Sequence, residues 1–172
     1  VRDALGAAEI AVILGSGLGD FGDALENAKS LPYAEISGFP TATVKGHAGK
    51  FICGQLAGKR VLMMSGRFHS YEGHSMQDVT LPIRVMARIG VKTLIVTNAA
   101  GGVNTAFSAG TLMLLTDFIN LSGQNPLRGE NLDAFGPRFP DMTHAYDPAL
   151  RTLALFLLSV LILSFLVFVI AR

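Results

Sequence analysis

At 172 residues, half of them apolar, the chain is long enough to bury a core of its own, and a net charge of +1 with no basic run gives no electrostatic basis for binding nucleic acid. One cysteine, Cys53, excludes an intrachain disulfide, and its place in the apolar run FICGQL marks it as a buried, inert thiol. Four histidines, His47, His69, His74 and His144, show no HxxxH or CxxC spacing, so no metal is expected; the short, mixed, charged opening lacks a signal-peptide pattern and points to an intracellular protein.

In chain order, EIAVILGSGLGDFGDALENA moves from an apolar strand at Ile10–Leu14 through a glycine loop into a helix expected to begin near Asp20. Gly15, Gly17 and Gly19 let backbone approach a ligand, and Ser16 with the following helix N-terminus offers donors suited to an anion. The loop is neither a dinucleotide fingerprint, since Asp20 stands where GxGxxG needs glycine, nor a Walker loop, and a tight turn without function is the alternative. Short strands follow at 41–44 and Lys50–Leu56, separated by GHAGK, and a third runs through KRVLMM.

That third strand leads into SGRFHSYEG. If the segment is extended, Arg67, His69 and Tyr71 lie on one side and Phe68 and Ser70 on the other. The three donors call for an acceptor-rich guest, a phosphate or carboxylate, against the alternative of an ordinary polar surface strand. Ser75-x-x-Asp78 reads as a capping box for a helix ending at Gly90, which Pro82 should kink or shorten. VKTLIVTNAAGG then repeats the first pattern, an apolar strand at 94–96 delivering a small-residue loop at 98–102. Loops at the carboxyl ends of strands are where open α/β sheets bind ligands.

The motifs GSGLGDF, GHAGKF, GRFHSYEG, VTNAAGG and SGQNPLRG with FGPRFPDMTHAYD, in that order over residues 10–147, resemble the trimeric, inosine/guanosine-preferring purine nucleoside phosphorylases. The resemblance implies an α/β fold with a mixed, largely parallel sheet and flanking helices, C-terminally truncated. It implies phosphorolysis of purine nucleosides to free base and pentose 1-phosphate, with inorganic phosphate as co-substrate, no cofactor, a homotrimer and a cytoplasmic location. By the same resemblance Ser16, His47, Arg67, His69 and the backbone of Ala99 hold phosphate. Tyr71 and Asn98 contact the nucleoside, and Phe139 is lent to a neighbouring subunit's sugar pocket. Glu72 either orients Arg67 or is a solvated carboxylate; His74 and His144 are expected at the surface without a site role. No counterpart of the family's purine-gripping residues follows Asp147. A non-catalytic phosphate- or nucleoside-binding remnant is therefore the rival reading, and a phosphorylase of methylthio-sugar nucleosides a second.

Residues 1–150 are thus expected to form the N-terminal part of the phosphorylase-like domain and 151–172 an apolar tail. Residues 153–171 form a run of 19 without a charge. As a helix they would reach roughly 28 Å, close to the hydrocarbon thickness of a bilayer. Three readings stay open for this tail: a helix enclosed in a core, a membrane anchor that leaves the body on the cytoplasmic side, or an altered reading frame or gene end. Loss of half a sheet would expose strand edges and favour aggregation.

Overall fold

A computed structural model describes residues 1–40 and 49–163. They divide into two units, Val1–Ala100 and Gly101–Arg172. The expected strand at 41–44 and His47 fall outside the described residues.

In the first unit, α1 (Arg2–Leu5) precedes five strands: β1 (Ile10–Leu14), β2 (Glu26–Pro32), β3 (Lys50–Leu56), β4 (Lys59–Ser65) and β5 (Thr93–Val96), with α2 (Met76–Ile89) between the last two. They form one mixed sheet in the order β2-β3-β4-β1-β5. The β2–β3 and β3–β4 ladders are antiparallel, whereas β1 lies parallel to both β4 and β5, with Leu14 opposite Ser65 and Ile13 opposite both Met64 and Val96. The parallel ladders therefore occupy one side of the sheet, and the strands that end in the three glycine-bearing or small-residue loops are neighbours.

Alternation along the strands builds two apolar layers. Ala11, Ile13, Phe51, Cys53, Leu62 and Met64 face one way and pack with Phe68, Met86 and Ile89; Leu14, Ile52, Val61 and Met63 pack on the other side with Leu25. Cys53 is buried, as its setting implied. Tyr33 sits at the centre of an aromatic cluster, its ring 5.1 Å from Phe51 and 5.3 Å from Phe68. Burial pushes its phenol well above the ordinary range. The capping box is present: Asp78 donates its amide to Ser75 Oγ at 3.1 Å and accepts the Ser75 amide at 3.2 Å. Helix α2 ends at Gly90 (φ 109°) and runs through Pro82 to Ile89 without being shortened.

One expectation is corrected, and one strand was not foreseen. The helix expected near Asp20 is a six-residue 3-10 turn, Gly19–Ala24. Gly19 and Gly22 weaken helical continuation, and Gly22 packs so closely that an added Cβ would meet Ile52 Cδ1 at 2.6 Å. The chain then enters β2, whose mostly exposed, polar sequence carries no apolar alternation. Its register is irregular between Glu26 and Lys29, where Asn27 has φ 51°.

In the second unit, segment 101–147 holds a 3-10 turn at Asp133–Phe135, and α3 (Pro148–Leu163) follows with Asp147 Oδ1 accepting the Leu150 amide at 2.9 Å. Leu153, Leu155, Phe156 and Leu157 of α3 are about half exposed or more, so this part of the helix is not enclosed in a core. Among the described residues no helix is long and apolar enough to cross a membrane; 164–171 lie outside them.

Candidate functional site

Because β4, β1 and β5 run parallel, the turn after β1, the segment after β4 and the segment after β5 all emerge at one end of the sheet. Adjacent strands are about 4.8 Å apart, so the outer two of the three are about 10 Å apart, the scale of a small anion with its shell of donors. The central turn is closed by the Leu18 amide donating to Gly15 O at 3.1 Å, with Gly17 at φ 85° where only glycine is comfortable. Ser16, at its tip, is exposed.

Thr97 ties the three segments together, and sequence reasoning had passed over it. Its hydroxyl accepts the Gly15 amide at 2.8 Å and donates to Ile13 O at 2.8 Å. Its carbonyl accepts a hydrogen bond from Arg67 Nη1 at 3.3 Å. The packing is so close that a Cβ on Gly15 would lie 2.8 Å from both Thr97 O and Asn98 Cα. A threonine ending an apolar strand is common, so nothing in VTNAAGG singled it out.

Arg67 follows Gly66 (φ 91°), whose carbonyl accepts the Tyr33 hydroxyl at 2.9 Å. The buried tyrosine thus anchors the bend that launches the arginine. His69 is extended, but the next three residues, Ser70–Glu72, form a 3-10 turn, so the simple alternation breaks after Phe68. Phe68 is buried, whereas Ser70, expected on the same side, is exposed and Tyr71, 79% exposed, stacks on the His69 ring at 4.6 Å. His69 and Tyr71 are together, but through stacking rather than strand geometry.

Of the two alternatives for Glu72, the solvated carboxylate is corrected. Its side chain is 6% exposed, and Oε2 accepts the His69 amide at 2.8 Å and meets His69 Nδ1 at 2.9 Å. A carboxylate accepts only, so Nδ1 carries the proton in this pair and Nε2 is the ring's acceptor. His74 is half-buried rather than fully exposed: its ring packs edge-on against Phe68 at 5.4 Å, and its Nε2 is buried without a partner among the described residues. His144 is exposed.

Asn98 and Ala99 are exposed on the segment after β5, with Asn98 Nδ2 3.4 Å from Ala99 O. Ser16, Arg67, His69, Tyr71, Asn98 and Ala99 thus all belong to loops at one end of the first unit. Phe139 belongs to the second unit, where it is 87% exposed beside Arg138, whose Nη1 donates to Leu127 O at 3.1 Å and Gly129 O at 2.6 Å. That pair of bonds fastens Arg138, next to the exposed ring, to the 127–129 segment. Among the described residues no group of three or more His, Cys, Asp or Glu is placed to hold a metal. A cluster rich in hydroxyl, guanidinium, imidazole and amide donors is suited to an oxyanion.

Residues 9–158 match the model of the phosphorylase superfamily. The chain is 58% identical over 146 residues to purine nucleoside phosphorylase 1 of Bacillus subtilis (strain 168), a match covering 85% of this chain and 54% of that protein. Among solved structures, the Schistosoma mansoni purine nucleoside phosphorylase in complex with inosine superposes with a TM-score of 0.85 at 44% identity, over 92% of this chain and 56% of that one. Isoform 2 from the same organism, in complex with cytosine and ribose-1-phosphate, gives 0.85 at 42%, over 92% and 57%. The chain spans about half the length of the curated relatives it matches.

Proposed function

The chain belongs to the phosphorylase superfamily, and from that premise we propose that it carries the phosphate-holding part of a purine nucleoside phosphorylase, which splits inosine, guanosine and their deoxy forms with inorganic phosphate. One observation carries this reading: the Gly15–Leu18 turn, Arg67 and the Asn98–Ala99 segment meet at one end of three parallel strands, tied by Thr97. Neighbouring structures that hold inosine or ribose-1-phosphate support it.

In this reading the Ser16 hydroxyl, Arg67, His69 and the Ala99 amide hold phosphate, and His47 joins them by resemblance. Tyr71 and Asn98 meet the nucleoside. Phe139 serves a neighbouring subunit's sugar pocket in a homotrimer working in the cytoplasm without a cofactor. A phosphate oxygen attacks the anomeric carbon as the glycosidic C–N bond breaks, and the base leaves with the bonding electrons and takes up a proton. Arg67 and the Ser16 turn fix the nucleophile, whose negative charge stabilises the developing positive charge on the sugar. No protein nucleophile is needed. The buried Glu72 holds His69 in one tautomer, so that the ring meets phosphate in a single orientation.

Release of hypoxanthine from inosine by the purified chain, with and without phosphate, tests the reading alongside Arg67→Ala. Phosphate-dependent turnover that vanishes in the variant supports it. Folded protein that binds phosphate without turnover supports the rival, a non-catalytic phosphate- or nucleoside-binding chain. Absence of both overturns the reading.

A further inference from the structure

The opposite end of the same sheet carries a concentration of positive charge. Strands β1 and β5 begin there and α2 ends there, around a cavity of about 380 Å³ lined by Arg2, Glu9, Lys59, Arg60, Arg88 and Lys92. Five of the chain's 14 Lys and Arg residues face it, against one of its 13 Asp and Glu, in a protein whose net charge is only +1. Such local excess focuses potential into a concave site.

The cavity is held in shape. Arg60 donates from Nε to Ala7 O at 2.9 Å and from Nη2 to Leu5 O and, at 3.7 Å, to Cys53 Sγ, so its guanidinium is fixed where α1 ends. Gly6 (φ 79°) makes room for it, since a Cβ there would lie 2.7 Å from Nη2. Lys92 and Glu9 pair at 2.6 Å across the starts of β5 and β1, which neutralises the single carboxylate. The carbonyl ends of α2, which would repel an anion, are capped: Ala87 O by the Gly90 amide at 3.2 Å and Met86 O by the Val91 amide at 3.0 Å. Arg2 and Lys59 form no ion pair among the described residues.

We propose that this cavity is a second anion site that takes a small polyphosphate-bearing molecule. The volume lies in the range of small-molecule pockets, roughly 300–1,000 Å³. Three or more cations around one opening suit a ligand with several charged oxygens better than a single carboxylate. The five residues of β1 separate it from the Gly15 turn by about 16 Å, so one orthophosphate cannot serve both places.

Inorganic tripolyphosphate is the probe. Titrated calorimetrically into the Arg67→Ala chain, in which the first site is crippled, it should bind with a stoichiometry near one. Affinity should fall at least tenfold in Arg67→Ala with Lys59→Glu, and only slightly with Lys59→Arg. In the unaltered chain, tripolyphosphate should slow acylation of the Lys59 and Lys92 amines severalfold while leaving exposed Lys29 unchanged, a readout that needs no variant to fold. No saturable binding in Arg67→Ala, or protection spread evenly over all lysines, would overturn the proposal.

Discussion

Replacing Thr97 by valine preserves shape and removes one hydroxyl, which isolates the link between the three loops. Two hydrogen bonds disappear, from the Gly15 amide and to Ile13 O. Ile13 O keeps a partner, because it also accepts the Thr97 amide at 3.1 Å. The Gly15 amide does not: the residue is buried, and valine offers no acceptor. A stranded amide of this kind costs about 1–3 kcal/mol. With a urea m-value of about 2 kcal/mol/M, the unfolding midpoint should fall by about 1 M at the centre of that range. Thr97→Ser keeps the hydroxyl and loses one methyl, about 0.8 kcal/mol at most. Urea titrations of both variants, followed by circular dichroism, make the comparison. Phosphate affinity should fall with stability in Thr97→Val, since the central turn loses its anchor to β5. Equal midpoints for the valine and serine variants would refute the role assigned to the hydroxyl.

Gly15→Ala should destabilise the fold by about 1–3 kcal/mol and weaken phosphate binding, because the new methyl meets backbone at 2.8 Å and the strand ends must separate; thermal melts and phosphate titration check it. Tyr33 gives a pH dependence. Its folded-state pKa is raised by burial above the ordinary 10.0, so its contribution is complete below pH 10, and above it the unfolded chain sheds a proton that the native state retains. Stability should therefore fall as pH rises past about 10, with a slope approaching 1.4 kcal/mol per pH unit. Tyr33→Phe should remove that slope while costing about 0.5–1.5 kcal/mol at neutral pH through the lost bond to Gly66 O. Urea midpoints of both proteins from pH 7 to 11 measure it.

The parts of the fold that were legible in sequence share one property: their local pattern agrees with their tertiary surroundings. Continuous apolar runs gave β1 and the middle of β4, and Ser75 with Asp78 and Gly90 bracketed α2, because caps act within a few residues. β2 was hidden because its polar residues are strand only by pairing with β3, and the turn at Gly19–Ala24 because two glycines defeat a pattern that otherwise reads as helix. Within the site, residue types were readable and relationships were not. Arg67 and His69 announced donor chemistry, but the carboxylate beneath His69 is brought there by a 3-10 turn that the extended reading of the segment did not contain, and the hydroxyl just after β5 that reaches Gly15 depends on strand neighbours. Gly15 and Thr97 are 82 residues apart, beyond any local pattern. The alternation expected along SGRFHSYEG failed at Ser70 because Gly73 (φ 90°) closes a turn that pulls Tyr71 over the imidazole.

The most direct measurement is a phosphate titration of the purified chain and of Arg67→Ala, read by calorimetry at low ionic strength. If the loops after β1, β4 and β5 form an oxyanion site, the unaltered chain should bind phosphate saturably and the variant at least tenfold more weakly, with unchanged circular dichroism. Equal binding in the two proteins, or none in the folded unaltered chain, would contradict it.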